Sequence, residues 1–90
     1  MRVARVDINQ AEIVAALRQV GATVQHLHGV GQGCPDLLIG FRSENYLIEV
    51  KTKSKASKLN ALQERWHSDW RGSVNVARCV DDALTIIGAI

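Results

Sequence analysis

Two apolar runs between residues 31 and 52, GQGCPDLLIGFRSENYLIEVKT, carry ionisable groups where a packed sheet wants none. Asp36 opens the first run, and Glu49 and Lys51 interrupt the second. Taking an ionised group out of water costs several kcal/mol unless it is paired or binds a metal. A chain with this hairpin must therefore bring the three charges onto one another or onto something that neutralises them.

The surrounding pattern places them. Ile13, Ala16, Leu17 and Val20 recur at helical spacing and Gly21 supplies a stop, which predicts a first helix over about residues 8 to 20. TVQHLH (23 to 28) alternates as a strand, and GVGQGCP reads as a glycine loop. DLLIGF and NYLIEVKT read as strands joined by a turn at Arg42, Ser43, Glu44 and Asn45. Residues 59 to 70 return to helical spacing, with Leu62, Trp66 and Trp70 at i, i+4 and i+8; the tryptophans are expected in the core, with stacking on exposed bases as the alternative. VNVARC is a fourth strand and DDALTIIG a short final helix. The expected order is α, β, β, β, α, β, α, in one domain over residues 1 to 90.

Side chains alternate across a strand, so Leu47, Glu49 and Lys51 share one face while Tyr46, Ile48 and Val50 share the other. Asp36 begins the neighbouring strand, within reach of Glu49. Two carboxylates that close repel, and one must take up a proton unless a cation lies between them. Hard oxygen ligands from Asp36 and Glu49, completed by a backbone carbonyl, that of Val50, and by water, suit Mg²⁺ or Mn²⁺. Beside that cation, Lys51 is placed to orient or deprotonate a water, or to neutralise charge building on a phosphate. These are the parts needed for phosphodiester hydrolysis.

Composition removes other classes. The 90 residues are 47% apolar and 22% charged, ordinary for a globular chain, and no run approaches the length needed to cross a bilayer. The N-terminus lacks a signal-type apolar core, and Cys34 and Cys79 lack metal-type spacing, so a reducing, cytoplasmic compartment is expected. Net charge is only +2, yet KTKSKASK (51 to 58) is basic throughout; Lys53, Lys55 and Lys58 are candidate DNA contacts or, alternatively, a solvated loop. GVGQG has neither the lysine of a P-loop nor a following helix, so no nucleotide cofactor is expected. Its glycines permit either the close approach of a DNA backbone or a turn. His26, His28 and His67 have no convincing metal-ligand spacing.

Pro35-Asp36 followed by Glu49-Val50-Lys51 resembles the PD-(D/E)XK nuclease signature. Gly33-x-Pro35-Asp36, Glu49-Val50-Lys51-Thr52, Leu59-Asn60-x-x-Gln63 and Trp66-His67 together resemble the virus-type replication-repair nuclease domain, VRR-NUC, particularly its small stand-alone phage form. The likeness runs from Glu12 to the VDDAL-x-x-IG ending, with Asn60 where the family usually has threonine. It implies an α/β, restriction-endonuclease-like αβββαβ core with a mixed central sheet flanked by helices. It makes Asp36 and Glu49 metal ligands, Lys51 the catalytic lysine, Gln63 the helix glutamine of the site, and Glu12 a first-helix acid that is catalytic and a possible ligand. Both weaker assignments have local competitors, since Asn9-x-x-Glu12 and Asn60-x-x-Gln63 also read as capping boxes, and Asp7 with Gln10 is another cap for the first helix.

The resemblance also supplies the substrate class: branched DNA such as four-way (Holliday) junctions or flaps. One small core holds one active site while a four-way junction needs two symmetric cuts, so a C2 homodimer is expected, as the resemblance also implies. No membrane partner is expected. A catalytically silent DNA-binding module and a structural partner in a replication or repair assembly are the readings from other classes.

Overall fold

The computed structural model describes residues 5 to 54 and 56 to 90, with side chains from Ile8 onward, so Lys55 lies outside the described residues. Helix α1 (Arg5–Gln19) is followed by β1 (Thr23–His26), β2 (Leu37–Phe41), β3 (Glu44–Val50), α2 (Ala61–Asp69), β4 (Asn75–Ala77) and α3 (Val80–Ile86). The element order is the expected one. The strands form a mixed sheet in the order β1-β2-β3-β4, antiparallel except for the parallel β3–β4 pair.

Helix α1 ends as its sequence requires. Gly21 adopts φ +94°, its N–H donates to the Arg18 carbonyl, and the Ala22 N–H donates to that of Leu17, closing the last turn. The helix starts earlier than its apolar pattern suggests, so Asn9 lies in its interior and caps nothing. Its side-chain amide instead donates to the carbonyls of Lys51 (2.7 Å) and Arg78 (3.3 Å), which fixes the rotation of α1 against the ends of β3 and β4. In that rotation Ile13, Val14 and Leu17 are buried, and Val20, expected in the stripe, is 40% exposed.

The core lies on one face of the sheet. Leu37 and Ile39 of β2, Ile48 and Val50 of β3 and Ala77 of β4 pack under α1 and α3, whose Ala83 and the following Ile87 complete the cluster. The hairpin turn is tighter than expected: Phe41 pairs with Glu44, leaving only Arg42 and Ser43 in the loop, at φ 49° and 66°. A two-residue loop of this kind keeps the strands in a strict register. Leu37 pairs with Ile48, which sets Asp36 one residue beyond β2 alongside Glu49.

The opposite face is covered thinly. Helix α2 crosses it with no buried residue, and Trp66 borders a groove whose floor includes Leu38 and Leu47. Trp66 and Trp70 stack on each other (centroids 4.6 Å, interplanar angle 17°), and Trp70 is 46% exposed, so the tryptophans expected in the core form a separate surface cluster. The physical reason is size: α1 and α3 already fill the one core that a sheet of four short strands supports.

Candidate active site

Each charged group of the hairpin reaches the site through a separate local constraint. Asp36 follows the buried Pro35, and its backbone carbonyl accepts from the Leu27 N–H (2.8 Å), so β1 and β2 stay paired up to this residue. Its Oδ2 accepts from the Val50 N–H (2.7 Å), which clasps the carboxylate to the end of β3. Glu49 pairs with Val76 of β4, one residue beyond the last β2–β3 pair, and is only 2% exposed. Its Oε1 is buried and has no hydrogen-bond partner among the described residues. Lys51 follows directly, with its N–H donating to the Ala77 carbonyl (3.0 Å) and its carbonyl held by Asn9.

Together these residues line a cavity of about 540 Å³ whose walls are Gln10, His28, Asp36, Glu49, Val50, Lys51 and Gln63. Glu49 is the electrostatic anomaly within it. Burial pushes its carboxyl up to about 8, assisted by a hydrogen bond to Asp36 and by the Asp36 charge, while Lys51 opposes the shift. Near neutral pH Glu49 therefore holds a proton, and a cation in its place would satisfy the unpartnered Oε1 as well. Asp36, Glu49 and Val50 line the same cavity, and two carboxylates with a backbone carbonyl would make an all-oxygen donor set of the type hard divalent cations take. No group of three or more His, Cys, Asp or Glu positioned for a metal occurs among the described residues, so further ligands would come from water or substrate.

Gln63 has both roles the sequence leaves open. Its Oε1 accepts from the Asn60 N–H (3.0 Å) while the Asn60 side chain accepts from the Gln63 N–H (2.9 Å), a complete capping box. That bond occupies one end of the amide, and the same side chain lines the cavity. The placement of α2 depends on Gly33. At φ +83° it lies so close to the helix that a Cβ there would fall 2.6 Å from the Leu62 carbonyl carbon and 3.0 Å from the Gln63 nitrogen. At this glycine the loop packs directly against the helix.

Glu12 lies apart from this cavity. It is exposed and lines a neighbouring depression with Ile8, Asn9, Thr52, Lys53, Arg78 and Cys79, not the Asp36–Glu49 cavity. With Asn9 pinned to the strand ends, Gln10 is the α1 residue turned to the carboxylates, and Glu12 falls about 200° further round the helix. His28 and Gln10 were missed as wall residues. Their signal, a Gln10 to His26 contact of 3.5 Å across the helix–strand boundary, exists only in three dimensions.

The basic loop leaves the site directly. Arg78 donates to the carbonyls of Thr52 (2.7 Å) and Ser57 (2.6 Å), and the Thr52 N–H donates to Ser57 Oγ (2.9 Å), so its base is closed while Lys53 and Lys58 stay exposed.

No protein-family model and no curated protein matches the sequence. A solved structure described as a VRR_NUC domain superposes with a TM-score of 0.75, covering 94% of this chain and 96% of that one at 23% sequence identity. The chain has the VRR-NUC fold. Within this VRR-NUC architecture, Pro35-Asp36 at the entry to β2 and Glu49-Val50-Lys51 at the exit of β3 meet at one end of the antiparallel pair. Residues well apart in sequence thereby become walls of one cavity.

Proposed function

We propose that this protein is a divalent-metal-dependent nuclease that hydrolyses phosphodiester bonds, acting on branched DNA such as four-way junctions or flaps. The observation that carries the reading is Glu49: a carboxyl 2% exposed, with an unpartnered buried oxygen, set against a second carboxyl and followed two residues later by a lysine on the same strand face. Burying such a group without pairing is costly, and the arrangement makes physical sense if a cation completes it. Asp36, Glu49 and the Val50 carbonyl would hold Mg²⁺ or Mn²⁺. When bound, the cation supplies Lewis-acid activation of the scissile phosphate and of an attacking water.

The chain's own groups do the rest. Lys51 provides a positive charge on the cavity wall where negative charge builds on the phosphate, and it orients the water by donating to it. The Gln63 amide, with its oxygen tied into the helix cap, offers its nitrogen as a donor toward the substrate. Lys53 and Lys58, with Lys55 between them in sequence, are placed to contact phosphates beyond the scissile one without reading bases. Two copies related by a two-fold axis would present two such cavities to the two strands of a junction.

Labelled four-way, flap, splayed and duplex DNA incubated with Mn²⁺ and with Mg²⁺ test the reading. Cleavage of a branched substrate in preference to duplex supports it, and no cleavage of any substrate under either metal would overturn it.

A further inference from the structure

Two buried side-chain atoms among the described residues lack a hydrogen-bond partner: Glu49 Oε1, which a cation would satisfy, and His67 Nε2, which the mechanism above leaves unexplained. His67 lies one turn after Gln63 on α2, hence on the helix face that Gln63 turns to the cavity wall shared with Lys51. The neighbouring Trp66 borders the groove over Leu47, two residues before Glu49 on the same strand face. His67 is therefore seated above the strand face that carries Glu49 and Lys51.

We propose that His67 is a positioning residue for Lys51: its buried Nε2 is a pre-placed acceptor for the lysine ammonium when the site takes up its substrate. The chemistry of the partners fixes the direction. An ammonium has three donors and no acceptor, so the only complement a ring nitrogen offers it is a bare lone pair. Burial and the nearby Lys51 charge both depress the His67 pKa, which keeps the imidazole neutral, and the tautomer protonated on Nδ1 leaves the Nε2 lone pair available. Such a bond is commonly long in an empty site and tightens in the reactive complex. Holding the ammonium from behind would aim its remaining donors at the phosphate and the water, sparing the reaction the reordering of a flexible side chain.

The inference rests on the nuclease reading for its rate measurement, so two readouts are needed. In cleavage assays, His67→Phe, which keeps a ring and deletes the acceptor, is expected to lower kcat by about 10–100-fold, the range usual for groups that orient a reacting one. KM for DNA and Mn²⁺ affinity should stay unchanged, and His67→Gln, which returns an acceptor near the Nε2 position, should recover most of the loss. The second readout needs no cleavage. Nitrogen-15 NMR of the wild-type protein should show a neutral His67 protonated on Nδ1 with Nε2 bare, and Lys51→Met should move the Nε2 resonance. Unaltered kcat in His67→Phe, or His67→Gln no better than His67→Phe, would overturn the inference. A proton on Nε2, or a resonance indifferent to Lys51→Met, would overturn it even if the protein cleaved no DNA, whereas cleavage failing with the NMR result intact would refute only the nuclease reading.

Discussion

Gly33→Ala isolates the contact that places α2. An alanine at φ +83° pays left-handed strain of about 1–2 kcal/mol. Its Cβ would also sit 2.6 Å from the Leu62 carbonyl carbon and closer still to its oxygen, where ordinary contact begins at 3.4 Å, so loop and helix must separate by at least about 0.8 Å. Helix α2 buries no residue, so it is the partner that yields, and Gln63 moves with it. A displacement near 1 Å at a catalytic constellation can cost about 10²-fold in rate. Gly31→Ala is the control: its φ is +73° but nothing lies within 4 Å of the new methyl, so it carries the strain without the push. Thermal unfolding and single-turnover cleavage of both variants make the comparison. Gly31→Ala should lose about 1–2 kcal/mol, each worth roughly 4–8 °C in Tm for a domain of this size, and cleave normally. Gly33→Ala should lose more and cleave about 10²-fold more slowly. Equal rates in the two variants would refute the argument that Gly33 sets the position of Gln63.

Other outcomes follow from the same geometry. Lys51→Ala should bind Mn²⁺ as the wild type does and lose several orders of magnitude in cleavage rate; weakened metal binding with turnover intact would make Lys51 structural. Replacing Lys53 and Lys58 should flatten the plot of log affinity against log salt by about 0.9 for each phosphate the protein no longer neutralises, measured on duplex DNA with Ca²⁺ present to block cleavage, and an unchanged slope would make the segment a solvated loop. The metal-free protein should lose stability as pH rises. Folded Glu49 holds its proton up to about 8 while the unfolded chain releases it near 4.5, so the stabilisation is full below 4.5 and fades as pH climbs to 8, by on the order of a few kcal/mol. Tm against pH should therefore fall through that window, flatten in Glu49→Gln, and recover in the wild type when Mn²⁺ displaces the proton; a Tm that climbs with pH would contradict the assignment.

What could be read from the sequence was what strand geometry alone dictates. Alternation across β3 separates Leu47, Glu49 and Lys51 from Ile48 and Val50, and the hairpin register then carries Asp36 to Glu49 whatever the rest of the chain does. The element order was legible for the same reason, since each element is marked by its own period and stops. Packing between elements was not. Trp66 and Trp70 have the spacing of a core stripe, but spacing says only that they share a helix face, and which face of the sheet receives the core depends on where α1 and α3 dock. The rotation of α1 was not legible either: Asn9 reads as a cap, yet its amide is spent on the Lys51 and Arg78 carbonyls, which turns Gln10 rather than Glu12 to the cavity wall. His28 and Gly33 belong to a loop whose shape is set by what it touches, Gly33 meeting the backbone of α2.

The central claim is that Asp36 and Glu49 hold a divalent cation that hydrolysis requires, and calorimetric titration of Mn²⁺ into the wild type, Asp36→Asn and Glu49→Gln tests it most directly. Those isosteres keep the shape of the buried pair and remove one ionisable carboxyl each. The wild type should bind Mn²⁺ near neutral pH with release of up to one proton, measured as the dependence of the heat on buffer, because the cation takes the place of the proton that Glu49 holds. Both variants should fold, retain DNA affinity, bind the cation far more weakly and cleave nothing. Mn²⁺ binding of wild-type strength in either variant, or cleavage that continues without it, would contradict the account.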